Sequence, residues 1–174
     1  YNNYVKVPSS VSGIDFINKL EGQFAFVYIN KRNKKIYFVR DRLGQKPLYL
    51  KYNEKKISFC SNLKSILEHD KEVSIDRKSL EQYIAYGINF APRTLFKEIQ
   101  KIQPATYLEI DYSNNKFKKN EKKYWEPDLY LDNKTFNYKN FQQLLTESIK
   151  KRTISDVPLA TFLSGGIDST SIVK

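Results

Sequence analysis

Short runs of apolar residues, separated by turn-forming residues, characterise the first half of the chain. Residues 23–29 and 35–39 are rich in Phe, Val, Tyr and Ile and flank the polar segment 30–34, which predicts a β-hairpin. Residues 48–52 and 56–60 repeat the same pattern. Connections this short join neighbouring strands that run in opposite directions, so the pattern predicts an antiparallel meander.

Helical spacing appears between and after these strands. Residues 15–20 and 62–67 predict two short helices, the second capped by Ser61 or Asn62. A clearer helix begins at Asp76 and ends at Gly87, and it carries one apolar stripe formed by Leu80, Tyr83 and Ile84. Residues 105–111 then predict a further strand, which turns at residues 113–115 into another.

The pattern changes after residue 126. The following polar segment lacks periodicity and predicts a linker, and Phe141, Leu144, Leu145, Ser148 and Ile149 then mark a helix of about four turns. Residues 157–163 predict an apolar strand without alternation, as in a parallel sheet buried on both faces. Helix, strand, glycine-rich turn and new helix indicate the start of an α/β domain. Because one strand cannot form a sheet, we expect this second domain to be incomplete and poorly stable here.

The formal net charge of +11 raises the possibility of a nucleic-acid-binding protein. Of the 30 basic residues, however, 24 are Lys and 6 are Arg, whereas bidentate reading of phosphates and bases favours Arg. The lysines are scattered, and their densest run, residues 116–123, lies beside a turn. A solvated surface therefore explains the charge better, and we expect no nucleic-acid partner.

Composition narrows the class of protein further. No run of about 18 apolar residues is present, so we expect no membrane partner. The first eight residues lack the pattern of a signal peptide. A single cysteine, Cys60, excludes an internal disulfide, and a reducing, cytoplasmic setting fits best.

The segment Ser164-Gly165-Gly166-Ile167-Asp168-Ser169 carries the clearest chemistry in the sequence. It follows the predicted strand and opens the new helix. Adjacent glycines let the backbone turn tightly and direct its amides into one concavity, and the helix start adds free N–H groups. The two serine hydroxyls are further donors, and Asp168 could hold Mg²⁺ beside a bound anion such as pyrophosphate.

Two interpretations of this segment stay open on the residues alone. The Walker A and Rossmann patterns do not fit, because no Gly-Lys-Ser/Thr follows and the glycines are adjacent. A plain strand-to-helix turn, with Ser164 as the cap and Asp168 in the first turn, is the alternative to a phosphate site.

The same segment resembles the SGGxDS loop of the ATP pyrophosphatases, and four further stretches are similar to the glutamine-hydrolysing asparagine synthetase family. Residues 155–163 resemble the lead-in to that family's phosphate loop, and residues 40–49 resemble its RDxxGxKPLY stretch. Residues 20–26 are similar to its LxGxFAF strand, and residues 92–96 to its PxTxF segment. The matches occur in the family's order and cover most of the chain.

The resemblance implies an α+β fold followed by an α/β fold. Residues 1–128 would be part of an αββα sandwich of the N-terminal-nucleophile (Ntn) glutaminase type. Residues 129–138 would be a linker, and residues 139–174 the first strand, loop and helix of an ATP-pyrophosphatase domain. The implied reaction converts glutamine, aspartate, ATP and water into asparagine, glutamate, AMP and pyrophosphate, with a possible homodimer as the complete enzyme.

The resemblance also implies which residues bind the cofactors, ATP and Mg²⁺. Leu163 would lie beside the adenosine, and Asp168 would also hold the metal. The phosphates would be held by Ser164, Gly165, Gly166, Asp168 and Ser169. No catalytic residue is assigned, because the family's nucleophile is an N-terminal cysteine and this chain begins with Tyr1.

At two positions the sequence differs from the family's usual pattern, and at two others a structural role is expected or possible. Gln103-Pro104-Ala105 stands where the family usually has Pro-Pro-Gly, and Gln23 stands where an apolar residue is common. Cys60 is expected to be a small buried side chain of a strand. Arg40 and Asp41 could form an ion pair at the junction between the domains, or they could belong to a local turn with Gly44; the sequence does not distinguish these two roles.

Three other residues are expected to have structural positions and no catalytic or binding role. Besides asparagine synthesis, two alternative functions are open. His69 is expected at a helix end, and Tyr124 and Trp125 are expected to anchor a core or an interface. One alternative function is amidation of another carboxylate, such as a sugar or antibiotic precursor. The other is a non-catalytic binding module that resembles an amidotransferase.

Overall fold

The computed structural model describes residues 14–54, 56–114, 117–127 and 135–173. The chain divides into two compact units, residues 1–128 and residues 129–174. Within the described ranges, no helix is both long and apolar enough to cross a membrane.

The first unit is built around two antiparallel sheets. Its strands are β1 (Ala25–Asn30), β2 (Lys35–Arg40), β3 (Tyr49–Tyr52), β4 (Ile57–Cys60), β5 (Ile99–Lys101), β6 (Thr106–Asp111) and β7 (Lys118–Lys123). One sheet has the order β1-β2-β6-β7, and the other has the order β4-β3-β5. The predicted hairpins are confirmed, since β1 pairs with β2 and β3 pairs with β4 in antiparallel register.

Short helices complete the two units. The first unit contains a 3-10 helix (Asp15–Lys19), α1 (Leu63–His69) and α2 (Arg77–Tyr86), and the second contains α3 (Tyr138–Arg152) and α4 (Ile167–Val173). The Asn62 side chain accepts a hydrogen bond from the Lys64 N–H, so Asn62 is the cap of α1. The mixture of helices with antiparallel sheets agrees with the expected α+β class.

The main core lies between the two sheets. Phe38 of β2 and Leu108 and Ile110 of β6 point from one sheet towards Leu50 of β3, and all four side chains are fully buried. The neighbours of Phe38 on β2, Tyr37 and Val39, point the opposite way because side chains alternate along a strand.

Tyr37 and Val39 belong to a second core on the outer face of the four-stranded sheet. Ile17 of the 3-10 helix is fully buried against this face. Stacked and edge-to-face aromatic rings continue the layer, including Tyr28 against Tyr37 at 5.8 Å between centroids. Both faces of this sheet are therefore covered by apolar side chains.

The prediction of a strand at residues 157–163 is wrong, because these residues are not a strand in this structure. These residues form no ladder with any described part of the chain, and their side chains are exposed, Phe162 completely so. A strand persists only where neighbouring strands pair its N–H and C=O groups, and residues 135–173 contain no such neighbour. The predicted linker 129–138 lies largely outside the described residues, and α3 already begins at its last residue, Tyr138.

Arg40, the last residue of β2, ties the two sheets together. Its buried guanidinium donates to three backbone carbonyl groups: Nε to Lys46 O at 2.8 Å, Nη1 to Ile102 O at 2.7 Å, and Nη2 to Gly44 O. Ile102 directly follows β5, which belongs to the other sheet. Burial lowers the pKa of Arg40 below its ordinary value, and the three carbonyls compensate for the lost hydration.

The adjacent Asp41 closes the loop that follows. Its buried carboxylate accepts hydrogen bonds from the N–H groups of Leu43, Gln45 and Lys46 at 3.0–3.1 Å. Asp41 O accepts a hydrogen bond from Ala105 N at 2.9 Å. Of the two interpretations that the sequence left open, the local turn is correct, because both side chains bind backbone groups instead of each other.

Two backbone positions at this corner adopt left-handed conformations. Gly44 has a φ of +66°, and Ala105, in the segment that departs from the family pattern, has a φ of +55°. A Cβ on Gly44 would lie 2.8 Å from Pro104 Cγ and 3.0 Å from Arg40 Cζ. Gly44 is therefore required for both its backbone conformation and its lack of a side chain.

Lys51 and Asp70 form a second polar link, between β3 and the end of α1. The Nζ of Lys51 is buried and donates to Asp70 Oδ1 and to Glu72 O, both at 2.5 Å. Lys56 Nζ lies 3.5 Å from the other carboxylate oxygen of Asp70. The hydrogen bond from Lys51 is the largest cause of a pKa of Asp70 that lies below its ordinary value.

We predict that Gly44→Ala lowers the free energy of unfolding of the first unit by about 2–5 kcal/mol, the sum of left-handed strain and overpacking. Gly87 is the control, because it has a φ of +73° but nothing within 4 Å of an added Cβ. Gly87→Ala should cost only about 1–2 kcal/mol. The single tryptophan, Trp125, reports unfolding of this unit in denaturant. Equal losses in the two variants would contradict the assigned role of Gly44.

We also predict that Asp70 makes the first unit sensitive to acid. Because its folded-state pKa lies below the ordinary value of 3.8, Asp70 stabilises the fold above that pH, and the contribution is lost as pH falls through the folded pKa. Asp70→Asn should therefore be less stable than the natural chain at neutral pH, and the difference should shrink in acid. Glu68→Gln, which removes an exposed pair with Lys64, should change little at any pH. A pH-independent difference for Asp70→Asn would refute this prediction.

Candidate functional site

The glycine-rich segment lies at the start of α4 in the second unit. Residues 164–166 form a turn, and α4 begins at Ile167, so the predicted turn into a helix is present. The residues before the segment form neither a helix nor the predicted strand. The turn is therefore produced by its own residues and not by a supporting sheet.

Gly165 supplies the backbone conformation of the turn. Its φ is +78°, which residues with a Cβ rarely adopt, and nothing lies within 4 Å of a Cβ built on it. Gly166 has an ordinary φ, and its added Cβ would contact Ser164 Oγ at 3.5 Å. Of the two glycines, only Gly165 is thus required by the backbone of the turn itself.

The two serine hydroxyls of the segment meet across the turn. Ser164 Oγ lies 3.1 Å from Ser169 Oγ, and Ser169 Oγ also donates to Gly166 O at 3.2 Å. Thr170 N donates to Gly166 O at 3.0 Å, which begins the hydrogen bonding of α4. These contacts bring together two hydroxyl groups that can reorient towards an anion, since a hydroxyl hydrogen rotates to suit its partner. The contact between the two serines was not anticipated from the sequence.

Leu163 and Asp168 each directly precede one of these two serines in the sequence. The Leu163 side chain is exposed, and the Asp168 carboxylate, in the first turn of α4, is exposed as well. All six predicted binding residues therefore belong to one continuous solvent-accessible stretch.

Asp168 is a chemically suitable ligand for Mg²⁺, although it stands alone. Across the described ranges, no group of three or more His, Cys, Asp and Glu residues could hold a metal ion. Mg²⁺ keeps several waters and is commonly held by one or two carboxylates together with substrate phosphates. The Asp168 carboxylate beside a glycine-rich turn is chemically compatible with a metal that arrives together with a nucleotide.

The helices of the second unit leave an apolar groove. The groove is lined by residues of α3 and α4, among them Phe141, Leu145, Ile149, Ile172 and Val173. No residue of α3 or α4 is buried. In the described part of the second unit, these two helices therefore have little of the packing that would hold them in place.

The remaining candidate residues of the first unit have structural positions. Cys60 lies in β4 opposite Tyr49, and it is partly exposed instead of buried as expected. His69 is the last residue of α1 and is exposed. Tyr124 Oη donates to Arg40 O at 2.8 Å, and burial raises the pKa of its hydroxyl to about 12.

Trp125 follows Tyr124 and lies beneath a second arginine. The Arg42 guanidinium carbon is 5.7 Å from the centre of the Trp125 ring, within range of a cation–π contact. Tyr124 and Trp125 therefore anchor the end of the first unit to its arginine-containing corner, as the sequence predicted.

Comparison with known proteins identifies two domain families in this chain. Residues 8–125 match the glutamine amidotransferase domain, and residues 140–174 match asparagine synthase. The first match covers most of the unit that contains the two sheets, and the second covers most of α3 and the whole glycine-rich segment.

Curated relatives give the same result over nearly the whole chain. A putative glutamine-hydrolysing asparagine synthetase 2 of Methanocaldococcus jannaschii is 34% identical, in an alignment that covers 92% of this chain and 32% of that protein. Asparagine synthetase 1 of Bacillus subtilis is 33% identical, in an alignment that covers 90% of this chain and 25% of that protein. A protein named Amidase chry2 in Gibberella zeae is 31% identical over 92% of this chain and 24% of its own length.

The chain thus spans a quarter to a third of the length of these relatives. Within that span it combines a glutamine amidotransferase domain with an asparagine synthase segment, in the order in which the family's motifs occur. The chain belongs to the family of glutamine-hydrolysing asparagine synthetases.

Proposed function

We propose that the protein carrying this chain is a glutamine-dependent asparagine synthase. The observation that carries the proposal is the presence of both matched domains in one chain, with the SGGxDS segment inside the second. In this proposal residues 1–128 belong to the glutaminase and residues 139–174 to the ATP-dependent synthetase. The substrates are glutamine, aspartate and ATP.

The proposed reaction has three steps. Glutamine is hydrolysed to glutamate and ammonia at the amidotransferase site. At the synthetase site, an oxygen of the aspartate carboxylate attacks the α-phosphorus of ATP, and pyrophosphate leaves. Ammonia then attacks the acyl carbon of the adenylate and expels AMP, which gives asparagine.

In this chain the glycine-rich segment would hold the pyrophosphate part of ATP. Gly165 has the left-handed backbone conformation of a tight turn, and the Ser164 and Ser169 hydroxyls lie together across it. Leu163 would contact the adenosine from the preceding residue. Asp168 would hold Mg²⁺, which supplies positive charge that offsets the phosphate oxygens as pyrophosphate departs.

A second candidate function is amidation of a different carboxylate. It is favoured by relatives that are named amidases and are about as similar as some of the synthetases, in Gibberella zeae at 31% and in Penicillium rubens at 30% identity. The phosphate-binding segment would serve either acceptor, since both reactions begin with ATP. Acceptor-dependent release of pyrophosphate, measured with aspartate and with other carboxylates, distinguishes the two functions.

We predict that Asp168→Ala abolishes pyrophosphate release in the protein extended to the length of its relatives, with either glutamine or ammonia as the nitrogen donor. The reason is loss of the metal ligand beside the phosphates. Glutamine hydrolysis by the same variant should persist, because Asp168 lies outside the amidotransferase domain. Asp156→Ala is the control, since Asp156 is exposed but outside the segment. Equal loss of both activities would count against the role of Asp168.

We also predict that Gly165→Ala weakens ATP binding by roughly tenfold or more in the same extended protein, because about 1–2 kcal/mol of left-handed strain would displace the turn. Gly22→Ala is a matched control, with a φ of +106° and nothing within 4 Å of the added Cβ. It should strain the first unit while leaving ATP affinity unchanged. Calorimetric titration with a non-hydrolysable ATP analogue measures both variants, and unchanged affinity in Gly165→Ala would exclude the proposed role of the turn.

A further inference from the structure

The fold brings together two basic turns that are far apart in the sequence. The turn between β1 and β2 contains Lys31, Arg32 and Lys34, and β2 begins at Lys35. The connection between β6 and β7 ends at Lys118, the first residue of β7. Because β2 and β6 are antiparallel neighbours in the four-stranded sheet, both turns lie at the same end of that sheet.

The register of the strands fixes this arrangement. Lys35 of β2 lies opposite Asp111 of β6, and Asp111 lies opposite Lys118 of β7. Tyr112 N donates to Lys34 O at 2.9 Å, which joins the two turns directly. This end of the sheet, here named the basic end, carries Lys31, Arg32, Lys34, Lys35 and Lys118.

The positive charge of the basic end is only partly compensated by carboxylates beside it. Lys35 Nζ lies 2.9 Å from Glu109 Oε1, so this lysine has its own counter-charge. Hydrogen bonds from Ser113, and the nearby charges of Lys35 and Lys118, hold the pKa of Asp111 below its ordinary value, so Asp111 is also ionised at neutral pH. With these two carboxylates, the five basic side chains leave a net charge of +3.

The uncompensated charges are accessible to a partner. The side chains of Lys31, Arg32, Lys34 and Lys118 are all exposed. Three of these four are lysines, which act as mobile point charges on flexible stems. Point charges of this kind suit phosphate groups, and they do not read the identity of a base.

Aromatic and apolar groups contribute little to this surface. Among the described residues of the two turns, Tyr112 is the only aromatic one, and it is half-buried. None of the exposed large apolar side chains belongs to the described part of these turns. Segments that bind membrane surfaces or single-stranded nucleic acids add exposed apolar or aromatic groups to their basic ones. The basic end therefore favours a partner that is held by charge alone.

The width of the basic end matches a groove of double-stranded DNA. Neighbouring strands of a sheet lie about 4.8 Å apart, so β1 and β7, at the two sides of the four-stranded sheet, are separated by about 14 Å. The major groove of B-DNA is about 12 Å wide and has phosphates along both rims. The turn after β1 can thus reach one rim while Lys118 reaches the other.

We propose that the basic end binds double-stranded DNA through its phosphate backbone, without regard to base sequence. The expectation of no nucleic-acid partner rested on lysines that are scattered along the sequence, whereas the fold gathers five basic residues at one place. The binding is independent of asparagine synthesis and uses none of the residues of the glycine-rich segment. Its dissociation constant should lie in the range of non-specific binding, about 10⁻⁴ to 10⁻⁶ M at physiological salt.

Fluorescence anisotropy of a labelled B-form duplex, titrated with the 174-residue chain at several salt concentrations, tests this proposal. The logarithm of the binding constant should fall linearly with the logarithm of the salt concentration. Each phosphate contact contributes about −0.9 to the slope, so three to five contacts correspond to a slope of about −3 to −4.5. Two duplexes of unrelated sequence should bind equally tightly.

A variant without part of the charge tests whether the basic end is the binding site. Lys31→Gln, Arg32→Gln and Lys118→Gln in combination should weaken binding at least about tenfold and make the slope shallower by about 2–3, because three phosphate contacts are lost.

The matched control removes the same charge from exposed positions outside the two turns. It combines Lys71→Gln, Arg77→Gln and Lys97→Gln, and it should leave the slope unchanged. The fluorescence of Trp125 in denaturant establishes that both variants remain folded.

Four results would overturn the proposal. The first is the absence of salt-dependent binding to the duplex, and the second is an equal loss in the control variant. The third is binding of polyglutamate or of anionic phospholipid vesicles as tight as binding of the duplex at the same salt, which would show general attraction between charges. The fourth is tighter binding of single-stranded DNA, which would exclude the fit to a groove.

Discussion

The arrangement of the first unit depends on one buried side chain, the guanidinium of Arg40, which needs hydrogen-bond acceptors. A guanidinium removed from water without partners would cost several kcal/mol, so Arg40 is compatible only with a fold that brings carbonyl groups to it. The acceptors come from the loop after β2 and from the segment after β5, which belongs to the opposite sheet. The loop in turn is closed by the Asp41 carboxylate. One short stretch of sequence thereby positions two sheets, a tight loop at Gly44 and the Tyr124 hydroxyl.

The two units differ in how much of their structure is self-supporting. In the first unit, alternating side chains fill both faces of the four-stranded sheet, so each element is held by several others. In the second unit, α3 and α4 bury nothing, and the apolar stretch before the glycine-rich turn remains in water. The turn nonetheless forms, because its glycine conformation and its serine contacts involve residues no more than five positions apart. A turn formed by contacts between residues close in sequence needs no partner from elsewhere in the chain, whereas a strand needs a neighbouring strand to pair with.

Helix α2 shows the difference between an amphipathic pattern and a buried face. The spacing of Leu80, Tyr83 and Ile84 predicted the helix, Asp76 and Gly87 predicted its ends, and these predictions are confirmed. The pattern cannot tell whether the stripe packs on its own domain or on something else, because the hydrophobic effect is non-directional. In this chain, Ser79 and the hydrogen bonds from Asn89 and Phe90 orient the helix, and the apolar stripe is left at the surface.

The hairpins, the helix ends and the glycine-rich turn could be predicted from the amino-acid sequence, because each depends on residues close together along the chain. The sequence also determined the family, since several short motifs in one order are far more specific than any one of them. The folded structure was needed to distinguish an ion pair from a local turn at Arg40-Asp41, and to show which side of α2 is buried. It also decided that residues 157–163 do not form a strand. These three outcomes depend on partners distant in sequence, and a local pattern contains no information about whether such partners are present.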